Sequence, residues 1–267
     1  HLRNSATQTS TSHSVNEYLQ ANPEVLKWFP NNPQIKRKTM TDGAGQVRAV
    51  SRLAFRSAMS QGKLNAMWDG IERIFPVDSH AQSFNVRVII ISSLVGGTGS
   101  GIFLQIALYL REMLERKLNS ESVLIRGVFL LPDILVRSNT VDQTEWEAVQ
   151  GNGYASLKEL NAISLSASGN HKQNVTIELE YRPNQIDLEG RTAHAITDKH
   201  LPYDFCFLFD YENTKGQHLT NVSEYIDQVA RSVYLQLFSP ISARSFSQED
   251  NQIRSLVESN GQARYCG

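Results

Sequence analysis

Glycine is missing from the first 40 residues, cysteine occurs only at Cys206 and Cys266, and neither acidic nor basic charge predominates. The first absence excludes a glycine-rich turn in the opening segment. The second excludes a disulfide-built scaffold and any Cys-x-x-Cys metal or redox motif, so both cysteines are expected as reduced, buried thiols. The formal net charge is -1, which advertises no polyanion and argues against a nucleic-acid partner. The seven histidines do not cluster, and the spacing of His194 and His200 does not face one side of a helix, so no metal site is expected. No apolar run approaches the ~20 residues a membrane helix needs, and no basic-then-apolar leader opens the chain. A cytoplasmic location is the expectation.

What is present is ordinary globular material: 40% hydrophobic and 20% charged residues over 267 positions, enough for one sizeable core or one core plus an appendage. Residues 1–14 are polar and read as a loop or a disordered start. Val15 to Trp28 can hold a short helix, broken by Pro23 and stopped before Pro30. Residues 29–42 read as a loop, and the basic run Lys36 to Lys38 as a solvated part of it, with a binding role as the minor alternative. Apolar residues then recur at helical spacing from Val47 to Met59 and over 63–74. Residues 86–94 and 122–131 are β-branched, apolar runs that predict strands covered on both faces. Between them lie a glycine turn and a helix over 102–118, with Ile102, Ile106, Leu110, Met113 and Leu114 on its inner side. Strand, turn, helix and strand in that order make a βαβ unit and a parallel sheet. A helix over 142–163, a polar excursion over 164–200, a third strand over 204–210 and a helix over 221–238 follow. A loop at 239–247, a helix at 248–259 and a strand start at 263–266 complete the reading.

The turn reads Gly96-Gly97-Thr98-Gly99-Ser100-Gly101. Amides opening a helix have no intrahelical partner and carry the positive end of its dipole, so an anion is stabilised there without a basic side chain. Glycines admit a phosphate close to the main chain, and Thr98 and Ser100 add hydroxyl donors. A P-loop requires Lys then Ser or Thr after its last glycine, where this chain has Ile102 and Phe103. The dinucleotide fingerprint G-x-G-x-x-G is also unmet. A tight structural turn is the plain alternative.

GGTGSG after a strand resembles the signature loop of the tubulin/FtsZ superfamily, and the divergent bacterial tubulin-like proteins look nearest, through GAGQ-x-R (43–48) and NGYASLKEL (152–160). The resemblance implies a three-layer, Rossmann-like α/β fold with helices on both faces of a parallel sheet and a long central helix. It divides the chain into a polar segment 1–40, a nucleotide-binding domain 41–238, and a catalytic-type loop, helix and incomplete second domain at 239–267. Gly43, Ala44, Gly45 and Gln46 match the family's loop facing the β- and γ-phosphates. Glu147 and Asn152 match its ribose segment, although Asn152 can equally be a solvent-exposed residue at a helix kink. Asp210 and Asn213 fall where the family reads the guanine edge, and Asp227 stands near its central-helix asparagine, a departure. Glu249 and Asp250 match the acids that position the attacking water from the next subunit. They can also be acids enriched at a helix start, and Gln252 replaces a second family aspartate. The family's first strand with its own glycine loop is not visible, and the chain reads as part of a longer parent.

The implied activity is GTP hydrolysis to GDP and phosphate, with Mg²⁺ accompanying the nucleotide and head-to-tail self-association completing the site. A non-polymerising GTP-binding switch or interaction module is the alternative. An NAD(P)-dependent enzyme is disfavoured by the lack of an accompanying His/Lys/Tyr constellation.

Overall fold

The computed structural model describes residues 14–40, 43–74, 86–117, 123–167, 177–179, 194–196, 201–213, 215–219, 221–238 and 264–266. The chain forms two compact units, one of His1–Val86, Gly96–Val123 and Thr176–Thr197, the other of Arg87–Val95, Leu124–Val175 and Asp198–Gly267.

In the first unit, helix α1 (Val15–Ala21) begins with a reciprocal cap. The Glu17 amide donates to the Ser14 hydroxyl at 3.2 Å while the Ser14 amide donates to the Glu17 carboxylate at 3.0 Å, satisfying two donors the helix leaves open. The helix stops before Pro23, where a 3₁₀ turn takes over (Pro23–Lys27), so the break falls where proline demands it. The stretch expected as a loop contains a four-residue helix, α2 (Pro33–Lys36). Asn32 Oδ1 accepts the Gln34 amide at 2.8 Å, and Pro33 occupies the first helical position, where a missing N–H costs nothing. These opening residues are bound into a core: Val15, Leu19, Val25, Phe29 and Met40 are buried in one cluster with Ala44, Val50, Leu53 and Ala54.

Helix α3 (Arg48–Ser60), helix α4 (Asn65–Ile74) and helix α5 (Gly97–Lys117) meet in a second cluster of Phe55, Met59, Leu64, Met67, Leu108, Tyr109 and Met113. The inner face of α5 differs from the expectation. Phe103, Leu104, Ala107, Leu108, Tyr109, Met113 and Leu114 are buried, whereas Ile102, Ile106 and Leu110 are only partly covered. The helix is apolar around most of its circumference, so periodicity could not select a face. Strands β3 (Ile177–Leu179) and β4 (His194–Ile196) pair antiparallel within the expected polar excursion.

The second unit holds a sheet of β1 (Val86–Ser93), β2 (Val123–Leu130), β5 (Phe205–Phe209) and β6 (Arg264–Cys266), in the order β1-β2-β5-β6. β2 pairs in parallel with β5 (Val128 opposite Phe207), and β5 with β6 (Cys206 opposite Tyr265). β2 is buried along nearly its whole length, as its apolar run predicts. β1 is not, because it lies at the end of the described sheet, and Ile91 is 54% exposed. Asp204 fixes register at the head of β5: its carboxylate accepts the Ile125 amide at 2.6 Å, and its own amide donates to the Ile125 carbonyl at 2.8 Å. Arg126, buried within β2, donates to Gln236 Oε1 at 3.1 Å. Cys206 is a buried free thiol, as expected.

Helix α6 (Asp133–Arg137), a 3₁₀ turn at Gln143–Glu145, helix α7 (Trp146–Ala167) and helix α8 (Val222–Leu237) accompany the sheet. α7 runs four residues past its expected end. The chain is thus α/β with a parallel sheet flanked by helices, the expected class. The helix expected at 248–259 lies outside the described residues.

Leu19→Ala, at a position 2% exposed beside Val15 and Leu53, is expected to cost about 2–4 kcal/mol of stability by lost burial and a residual cavity. Urea unfolding measures it; an unchanged midpoint would separate α1 from the core.

Candidate functional site

Helix α5 starts at Gly97, not near Ile102, so the glycine motif is the first turn of the helix rather than a loop before it. Helical geometry then leaves the amides of Gly96, Gly97, Thr98 and Gly99 without intrahelical acceptors. The Gly97 amide is taken by the Gly45 carbonyl at 2.9 Å, and the Ser100 amide already bonds back to Gly96 at 3.3 Å. The Ser100 hydroxyl, buried, donates to the Gly96 carbonyl at 2.6 Å. Thr98 is exposed and carries the motif's outward hydroxyl.

The earlier turn meets this helix start directly. Gly43 and Gly45 have φ of +82° and +56°, the left-handed region where only glycine is comfortable. The Val47 amide closes the turn on the Ala44 carbonyl at 3.0 Å. Ala44 is 4% exposed and belongs to the first cluster, so its methyl anchors the turn and leaves only its main chain to face a ligand.

The glycines have different physical reasons. A methyl at Gly97 would come within 2.7 Å of the Gly45 carbonyl oxygen and of the Val47 nitrogen; one at Gly101 would come within 2.6 Å of the Arg48 carbonyl oxygen. These two positions let α3 and α5 approach at backbone distance. Around Gly43 and Gly96 nothing lies within 4 Å of an added methyl. Open space above glycines at a helix start is a place that an oxyanion can fill.

Arg48 was missed as a site-building residue. Its Nε and Nη2 donate to the Ser100 carbonyl at 3.2 and 2.9 Å, tying the first residue of α3 to the glycine turn of α5. The available signal was an arginine immediately after GAGQ-Val at a helix start.

In the second unit the remaining expected site residues separate. Asn152 is 7% exposed, not solvent-exposed, and its Nδ2 donates to the Val95 carbonyl at 2.9 Å. It braces the residue just before the glycine motif. Glu147, in the first turn of α7, is exposed. Asp210 and Asn213 line a pocket of about 830 Å³ with Tyr211, His218, Tyr225 and Gln228. The Asn213 amide group is occupied locally: Oδ1 accepts the Lys215 and Gln217 amides at 2.9 and 3.0 Å, and Nδ2 donates to Gln217 Oε1 at 3.0 Å. Tyr211 stacks on His218 with centroids 5.1 Å apart. Burial, with Asp210 nearby, pushes the Tyr225 hydroxyl up to about 12, so it stays neutral. On α8 the pocket is faced by Tyr225, Gln228 and Ser232; Asp227 is exposed and is not among the lining residues. Glu249 and Asp250 lie outside the described residues.

In this α/β chain a strand leads into a glycine-fronted helix, and a second glycine turn is hydrogen-bonded to the first residue of that helix. The family model described as tubulin-like matches residues 1–267, and the chain belongs to that family. No curated protein and no solved structure matches it. Among the described residues no helix is long and apolar enough to cross a membrane.

Paired substitutions test the division of labour among the glycines. Gly101→Ala is expected to lower stability by about 1–3 kcal/mol through overpacking against α3, while Gly96→Ala should change it by under about 1 kcal/mol. Thermal melts compare them; equal losses would contradict the close approach of α3 and α5.

Proposed function

We propose that this chain binds a guanine nucleotide with the amides opening α5 and the turn at Gly43, Ala44, Gly45 and Gln46, and that it hydrolyses GTP in a head-to-tail assembly of its own copies. The observation that carries the reading is the convergence of two glycine segments, joined through the Gly97 amide and the Gly45 carbonyl, beside open space at Gly43 and Gly96. Family membership supports a guanine nucleotide over other phosphate ligands. Among the matched residues, Thr98 and Gly99 present main-chain donors at the helix start, and Thr98 adds its hydroxyl.

Mg²⁺, bound with the nucleotide, would neutralise charge on the β- and γ-phosphates. In the second unit, Glu147 and Asn152 are the candidates for ribose, and Asp210, Asn213 and Asp227 for base. Gln228 joins them because it, rather than Asp227, faces the pocket. Glu249 and Asp250 are proposed to orient the attacking water for a neighbouring copy's nucleotide.

Gly99→Val, in the first turn of α5, is expected to abolish GTP binding, leaving the circular dichroism spectrum unchanged. Retained affinity in equilibrium titration would refute the assignment of this turn. Glu249→Ala is expected to spare binding while reducing turnover about 10²-fold or more in assembled protein, the scale typical of a general base. Phosphate release and light scattering, followed together over protein concentration, read it out. GTP binding with no nucleotide-dependent scattering would favour a non-polymerising switch.

A further inference from the structure

We propose that Lys38 is a phosphate ligand of the same site, reaching the terminal phosphates of the bound nucleotide from the opening segment of the chain. This rests on the nucleotide reading above and adds to it a residue that the family resemblance does not assign. A side-chain carbon added at Gly45 would stand 3.3 Å from Lys38 Nζ, so the ammonium lies directly over the glycine whose carbonyl holds the first residue of α5.

The fold determines where this cation points. The Lys38 carbonyl accepts the Val15 amide at 2.9 Å, its amide donates to the Ile35 carbonyl at 3.1 Å, and Ser14 and Thr39 form an antiparallel bridge alongside. The backbone is therefore pinned on both sides while the side chain is left to the site. Its neighbours in the basic run are used differently. Lys36 Nζ donates to Asn31 Oδ1 at 2.7 Å, and Arg37 lines a shallow surface depression with Asn31, Asn32, Pro33 and Gln34. Only the third member of the run lies at the glycine turn.

The electrostatics call for such a group. A helix start supplies roughly half a unit of positive charge, and even with the Mg²⁺ that would accompany the nucleotide this falls short of the charge on a nucleoside triphosphate. A flexible ammonium with three donors is suited to oxygens that change number and position between triphosphate and diphosphate.

The test compares wild type, Lys38→Met and Lys38→Arg as full 267-residue chains, titrated with GTP by calorimetry at low and at high salt. Lys38→Met, which keeps the length and loses the charge, is expected to weaken GTP binding roughly tenfold at low salt, the scale of one charge-assisted contact. It should also flatten the salt dependence, with the melting temperature unchanged. Lys38→Arg is expected to stay within about threefold of wild type because the charge is kept. Wild-type affinity in Lys38→Met would overturn the proposal, as would equal losses in both variants accompanied by a lower melting temperature. If the wild-type chain itself binds no GTP, the nucleotide reading falls and this proposal with it. If wild type binds and only Lys38→Met is indifferent, the nucleotide reading stands alone.

Discussion

The hydrogen bond from the Gly97 amide to the Gly45 carbonyl joins two segments some fifty residues apart at main-chain distance. One backbone bond contributes only about 1 kcal/mol net; its importance is geometric. The two helices meet this closely only because α5 carries no Cβ at the contact, which is why Gly97 and Gly101 face the start of α3. Arg48 reinforces the junction from the other side by donating twice to the Ser100 carbonyl. Around it, Ala44 is held in a core that includes α1, and Phe55 and Met59 pack on Leu108 and Met113. The cradle is thus rigid because hydrophobic clusters on two sides hold the helices, and open because Gly43 and Gly96 add nothing to fill it.

Much of this was legible in order along the chain and little of it across the chain. The strand at 86–94, the glycine motif and the strand at 122–131 announce themselves by composition, and Pro23 breaks its helix as its chemistry requires. The start of α5 was placed too late because glycine argues for a turn on propensity, whereas tertiary contact with α3 makes the same glycines helical. The buried face of α5 was misjudged for a related reason: with apolar residues nearly all round, only the neighbours decide which stripe is covered. Pro33–Lys36 was expected as loop, although Asn32-Pro33 is itself a helix-start signal.

The roles of individual polar side chains were the least legible. Asn152 was expected at a sugar or in solvent; it is buried rather than in solvent, and its Nδ2 holds the Val95 carbonyl. Ser100 offered a hydroxyl by sequence, yet its nearest acceptor is one turn back on its own helix. Lys38 looked like one of three solvated cations, and its direction depends on a bridge between Ser14 and Thr39 that no local pattern reveals. For Asn152 and Lys38 the surroundings are set by long-range packing, which spacing rules do not encode.

The same consideration bears on how a base would be told apart in the second unit. Asn213 has an amide of the right chemistry, but its oxygen and nitrogen together organise the turn through Lys215 and Gln217. Gln228 faces the pocket from a helix, which positions a side chain more firmly than a loop does. Asp210 offers only acceptors when ionised, which matches the N1–H and exocyclic amine edge of guanine and opposes the acceptor at adenine N1. On the proposed reading, Asp210 would meet a base through the oxygen left over once the other accepts the Tyr211 amide at 2.7 Å.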